Sequence, residues 1–157
     1  MKVIIACEYA GYPLKVQVLK HLREAGHEVI DLGQKTEDEK ILYPDVAAAV
    51  ARAVQDGVAE KAVLICGTGA GVSVVANKFK GVYCIACESL YTAGKIPIIN
   101  NANVLAMGGN VVGPGEANDM VDIFLANSFA KGMPQEKRDF LQSMFDDVRR
   151  LEEENFK

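Results

Sequence analysis

The chain predicts an α/β domain in which a five-stranded parallel sheet is covered by helices on both faces. Three observations carry this. Strand and helix signals alternate about five times between Lys2 and about Ala130, the pattern of βα units joined by right-handed crossovers. Ala62-Val63-Leu64-Ile65 is apolar at every position and too short for an amphipathic helix, so it reads as a strand buried on both faces. At 157 residues, 50% of them hydrophobic, with no linker or repeat, the chain fits one domain that buries its own core.

Each element follows from local pattern. Lys2 to Ala6 reads as a buried strand, and Glu8-Tyr9-Ala10-Gly11-Tyr12 as a turn. Pro13 opens a helix whose Leu14, Val18, Leu19 and Leu22 recur at helical spacing until Gly26 closes it. A strand from Glu28 to Leu32 precedes a polar loop from Gly33 to Leu42. Pro44 then begins a helix through Ala47, Val50, Ala51 and Val54 to Gly57. The central strand 62–66 leads into a helix from about Val72 to Lys78. Strand 82–87, a weak helix from Leu90 broken at Pro97, strand Val104 to Met107 and a helix from about Gly115 to Ala130 complete the sheet. Beyond it, Gln135 to Glu154 forms a charged helix with an apolar stripe at Phe140, Leu141, Met144, Phe145, Val148 and Leu151. The expected organisation is a domain over 1–132 with a helical extension over 133–157. The stripe needs a surface, supplied by a second copy of the chain or by the helix folding back on its own domain.

A net charge of −4 with no basic cluster gives no footprint for nucleic acid. The longest apolar runs fall far short of a bilayer span, and no signal-peptide core follows the N-terminus. A cytoplasmic protein is expected, and Cys7, Cys66, Cys84 and Cys87 fit a reducing compartment. The Cys84-x-x-Cys87 spacing lies within a strand-like run without a second ligand pair, so no metal is expected there.

The most informative stretch is Cys66-Gly67-Thr68-Gly69-Ala70-Gly71. It places a sulfur at the carboxyl end of the central strand, where ligands bind in open parallel sheets. Alternate glycines let the backbone turn tightly and aim N–H groups at one point, and the following helix adds its positive end. The same field favours thiolate over thiol at Cys66. The alternative is a buried, inert cysteine capping a strand.

Several segments together resemble the ribose-5-phosphate isomerase B and galactose-6-phosphate isomerase family. They are Glu8-Tyr9-Ala10-Gly11 with Leu14-Lys15, Tyr43-Pro44-Asp45, Ile65 to Gly71, Ala76-Asn77-Lys78 and Asn100-Asn101-Ala102-Asn103-Val104-Leu105. The likeness runs from Met1 to about Arg138. It implies a Rossmann-like αβα sandwich, a homodimer or dimer of dimers with sites at the subunit interface, no metal or other cofactor, and aldose–ketose isomerisation of a sugar phosphate through a cis-enediolate. By the same resemblance Cys66 is the general base and Thr68 handles the proton on oxygen. The N–H groups of Gly67, Gly69 and Gly71 hold the enediolate charge. Glu8, Tyr9, Tyr43 and Asn100 line the substrate, and Lys137 with Arg138 grips its phosphate.

The departures from the family pattern narrow the substrate. Glu8-Tyr9 stands where the family has Asp-His. Ile99 stands where many members carry the presumed ring-opening His, and isoleucine transfers no proton. Family arginines that grip phosphate are replaced at Asn110, Met133 and Lys137, and lysine lacks the bidentate fork. These residues imply an isomerase whose substrate differs from ribose 5-phosphate, such as an open-chain tetrose 4-phosphate. Two other readings stay open: the Cys-bearing subunit of a hetero-oligomeric galactose-6-phosphate isomerase, whose B-type chain shares a Gly108-Gly109-like pair, and a non-catalytic sugar-phosphate-binding protein.

Overall fold

The computed structural model describes residues 1–156. Five strands, β1 (Lys2–Cys7), β2 (Glu28–Asp31), β3 (Lys61–Cys66), β4 (Cys84–Ala86) and β5 (Val104–Gly108), alternate with α1 (Tyr12–Glu24), α2 (Tyr43–Gln55), α3 (Ala70–Ala76), α4 (Leu90–Asn100) and α5 (Pro114–Ala126). A long α6 (Gln135–Asn155) follows. The sheet is wholly parallel in the order β2-β1-β3-β5-β4, which is the expected αβα sandwich.

Every residue of β3 after Lys61 is buried, because alternate side chains feed two separate cores. Val63 and Ile65 pack with Leu14, Val18 and Leu22 of α1, Ile96 of α4, and Met120 and Phe124 of α5. Ala62, Leu64 and Cys66 pack with Val46 and Val50 of α2 and Val72 and Ala76 of α3. The chain leaves β1 in one direction towards β2 and in the other towards β3, so a crevice opens between their carboxyl ends. Glu8 enters it, its N–H bonded to the Ile65 carbonyl at 3.2 Å.

Lys15 of α1 is buried to 2% exposure. Its ammonium donates to Asp31 Oδ2 and to the Gln34 carbonyl, both at 2.7 Å. These bonds clamp the β2–α2 loop against β1 directly behind Glu8, where Gln34 N–H also bonds the Cys7 carbonyl at 3.0 Å. A buried charge persists only when so paired.

Several boundaries differ from the sequence expectation. The helix after Leu90 is not broken at Pro97 but runs to Asn100. The proline forfeits one bond, and the helix ends a turn later, with Asn101 at φ 52° donating its N–H back to Ile96. The helix after the Cys66 loop spans Ala70–Ala76 rather than about Val72 to Lys78. Asn77 ends it by exchanging side-chain bonds with both backbone groups of Cys84 at 2.7 and 2.8 Å. β4 keeps only Cys84–Ala86 of the expected 82–87, and α5 stops at Ala126 rather than Ala130. There the Lys61 ammonium crosses to the Phe124 carbonyl at 2.6 Å.

The C-terminal helix, expected to pack on a second copy of the chain, turns part of its stripe onto the chain's own domain and leaves the rest exposed. Leu141 and Phe145 are buried on the chain's own domain, where the Phe145 ring meets Tyr83 edge-on at 5.1 Å and Phe129 at 5.3 Å. Phe140, Met144, Val148 and Leu151 stay exposed, at 57, 54, 45 and 49%. No helix among the described residues is long and apolar enough to cross a membrane.

Candidate active site

The loop after β3 is held in one shape by its glycines and by the loop after β5. Gly69 sits at φ +79°, and a Cβ there would come within 3.0 Å of the Met107 carbonyl carbon, so only glycine makes this turn without strain. The turn brings the Gly69 N–H onto Cys66 Sγ at 3.1 Å. Gly71 lets the Tyr43 ring lie flush on the loop, since a Cβ there would be 3.1 Å from the ring. From the other side Gly109 N–H bonds the Cys66 carbonyl at 2.7 Å and Asn110 N–H bonds the Gly67 carbonyl at 3.0 Å. The sulfur is thus carried on a backbone that is hydrogen-bonded on both flanks.

The loop assigns its amides differently from the sequence expectation. The Gly69 N–H is spent on the sulfur and is not free for an enediolate oxygen. The Ala70 N–H turns back to Thr68 Oγ1 at 3.4 Å, which fixes an exposed hydroxyl on the same loop. With seven residues, α3 adds only a short dipole, so nearby hydrogen bonds rather than the helix field shape the site.

Around the loop stand Glu8, Tyr43 and Asn110. Glu8 is buried, and its Oε1 accepts the Gly11 N–H at 3.0 Å. One carboxylate oxygen therefore holds the 9–11 turn rather than a ligand. Tyr9, in the turn after Glu8, is 54% exposed. Asn110, noted in the sequence only as a replaced position, is also exposed, and its Nδ2 would lie 3.3 Å from a Cβ on Gly67. The adjacent Gly108-Gly109 was its sequence signal. A Cβ on Gly108 would lie 2.8 Å from the Thr68 backbone, a close approach that draws the two loops together.

Asn100, Lys137 and Arg138 do not join Cys66 within the chain. Asn100 ends α4 just before β5, whose first residue, Val104, pairs with Ala62. Cys66 pairs with Gly108 at the far end of the same ladder, about 13 Å along the strands. The α5–α6 turn lies at that opposite edge too, with Ala130 N–H bonded to the Ile98 carbonyl at 2.9 Å. Asn100 and Ile99 line a small cavity with Leu141, Met144, Phe145 and Val148. A larger cavity of about 420 Å³, lined by Lys61, Asn101, Asn103 and Phe129 among others, opens on this edge and is remote from the Cys66 loop.

The other three thiols are chemically quiet. Burial pushes Cys7 and Cys84 up to about 12 and Cys87 up to about 11. At pH 8 roughly one molecule in a thousand or fewer carries any of these as thiolate. Iodoacetamide at pH 8 is therefore expected to modify Cys66 at least about tenfold faster than the other three. Peptide mass spectrometry over a time course checks this, and equal labelling of all four contradicts it.

A parallel sheet with a cysteine on a glycine-rich loop at its switch point is the ligand-binding arrangement of the Rossmann-like class. The chain belongs to the ribose/galactose isomerase family, whose description matches residues 3–141, and is an aldose–ketose isomerase. It is 37% identical over 153 residues to the 4-deoxy-4-sulfo-D-erythrose isomerase of Clostridium sp. strain MSTE9, covering 98% of this chain and 96% of that one. It is 34% identical over 132 residues to the D-erythrulose-4-phosphate isomerase of Pectobacterium atrosepticum, covering 84% and 87%. The solved ribose-5-phosphate isomerase B of Clostridium thermocellum superposes with a TM-score of 0.89 at 34% identity, covering 98% and 99%.

Proposed function

We propose that the chain interconverts an aldose and a ketose of four carbons bearing an acidic group at C4, with Cys66 as the proton-transfer base. The carrying observation is the Gly69 N–H on Cys66 Sγ at 3.1 Å, which orients the sulfur as an acceptor. The thiolate removes the proton from C2 of the open-chain aldose, and the electron pair moves onto O1 as a cis-enediolate. Thr68 moves the hydroxyl proton between O2 and O1. Cys66 then returns its proton to C1, leaving the ketose and a regenerated thiolate. Peptide N–H groups of the loop, including Gly67 and Gly71, meet the charge that develops on oxygen. Tyr43 and Tyr9 wall the sugar.

A second copy of the chain completes this site. The exposed Phe140, Met144, Val148 and Leu151 give it an apolar seat. Asn100, Lys137 and Arg138, all remote from their own Cys66, serve the Cys66 of that copy. The four-carbon reading follows from Ile99, which is 43% exposed and carries no titratable group. A furanose waits on its small open-chain fraction unless an acid opens it, and apparent affinity falls by that fraction. A C4-substituted tetrose has no free O4 to close a furanose, and relatives of this chain carry names on such sugars. Comparing kcat/KM for D-erythrose 4-phosphate with that for ribose 5-phosphate on one preparation tests it. The tetrose is expected to lead by at least about tenfold, and a preference for ribose 5-phosphate overturns the four-carbon reading.

A further inference from the structure

We propose that Lys61 is a covalent capture site for the open-chain aldehyde of an aldose, separate from the Cys66 site. Lys61 opens β3, at the opposite end of that strand from Cys66. It lines the cavity of about 420 Å³ together with Glu60, Pro97, Asn101, Ser128 and Phe129. Its side chain reaches the end of α5, where the nitrogen donates to the Phe124 carbonyl at 2.6 Å and to the Asn127 carbonyl. The same nitrogen lies 4.6 Å from the centre of the Phe124 ring. No carboxylate among the described residues pairs with it. Two of the three N–H bonds of the ammonium are thus committed to backbone at a helix C-terminus, and the third has no protein acceptor among the described residues.

A neutral amine keeps two N–H bonds, so losing the third proton costs neither carbonyl contact and leaves a lone pair at the position that no protein group occupies. Burial is the largest influence on Lys61 and, with the nearby Lys131 charge, brings it down from the usual 10.5 to about 8 against the opposing pull of Glu60. About a quarter of the molecules then carry a neutral amine there at pH 7.5, against about one in a thousand for an ordinary lysine. Desolvated lysines of this kind are the ones that form Schiff bases. The nitrogen adds to the aldehyde carbon to give a carbinolamine, which loses its hydroxyl as water. Aldehyde and amine thus become imine and water, with no oxidant or reductant. The chain's aldose–ketose chemistry brings such an aldehyde to the protein, and the cavity has the volume of a small-molecule pocket. Asn101 and Ser128 add an amide and a hydroxyl to its lining for the sugar hydroxyls.

The test treats the full chain with D-glyceraldehyde and sodium cyanoborohydride, which reduces each imine to a stable secondary amine, and reads the modified lysines by peptide mass spectrometry. At pH 7.5 Lys61 is expected to be labelled at least about tenfold faster than any other lysine. Its lead over exposed lysines in the same sample is expected to shrink about twenty-fivefold between pH 7 and 9.5, as those lysines lose their protons. The ratio cancels the pH dependence of the reagents themselves. Lys61→Arg keeps N–H donors for the two carbonyls and is expected to abolish the leading label. Labelling needs no turnover, so Cys66→Ser is expected to label as the wild type does, whatever becomes of the Cys66 mechanism. Lys61 labelled no faster than exposed lysines, a lead that does not change with pH, or a label lost in Cys66→Ser overturns the inference.

Discussion

Replacing Cys66 by serine is expected to lower kcat by two to three orders of magnitude while KM stays within about threefold. Proton transfer by a positioned base contributes about 10²–10⁴, and a serine hydroxyl is too weak an acid to cycle between base and acid near neutral pH. The substitution keeps the size of the side chain, and the Gly69 N–H at 3.1 Å from the sulfur still finds an acceptor. The loop should therefore hold its shape, and the loss should fall on the chemical step, as for a group acting only in the transition state. Steady-state kinetics with circular dichroism to confirm folding decide the matter. A serine variant with near wild-type kcat removes the cysteine from the chemistry and restores the reading of a buried, inert thiol.

The second large effect is recovery of activity between two inactive chains. One copy carries Cys66→Ser, and the other carries Asn100→Ala with Lys137→Ala. If each site takes Cys66 from one subunit and Asn100 and Lys137 from the other, a mixed dimer holds one site with both lesions and one with neither. Random pairing at equal amounts makes half the dimers mixed, so activity returns to about a quarter of wild type. Self-contained sites leave every mixed dimer with two damaged sites, and activity stays at the level of the parent variants. The separation of Asn100 from its own Cys66, at opposite ends of the β3–β5 ladder, is the reason to expect recovery.

The sheet was legible because its central strands are apolar at every position, and only strands buried on both faces tolerate that. Cys66 and its glycines were legible for a similar reason, since alternate glycines at a strand end have few other uses. Pro97 misled because proline removes one hydrogen bond, and burial of Ala93, Gly94, Ile96 and Pro97 outweighs one bond near a helix end. The stripe of α6 was visible, but helical periodicity reports only how wide an apolar face is. It does not say that Leu141 and Phe145 turn inward while Phe140 and Met144 remain exposed. The use of the Gly69 N–H on sulfur, one oxygen of Glu8 on Gly11, and the Lys15–Asp31 clamp depend on atoms brought together by the fold. Asn110 gained its place from the approach of two loops about forty residues apart in the chain.

The most direct measurement of the proton-transfer role is isomerisation in deuterium oxide, followed by proton NMR of the tetrose and tetrulose as they equilibrate. A thiolate that lifts the C2 proton exchanges it with solvent in at least part of its turnovers. The account predicts deuterium at C1 of the ketose and C2 of the aldose with the wild-type chain, and loss of that exchange together with turnover in Cys66→Ser. Full turnover without deuterium at either carbon, or exchange that survives unchanged in Cys66→Ser, would contradict it.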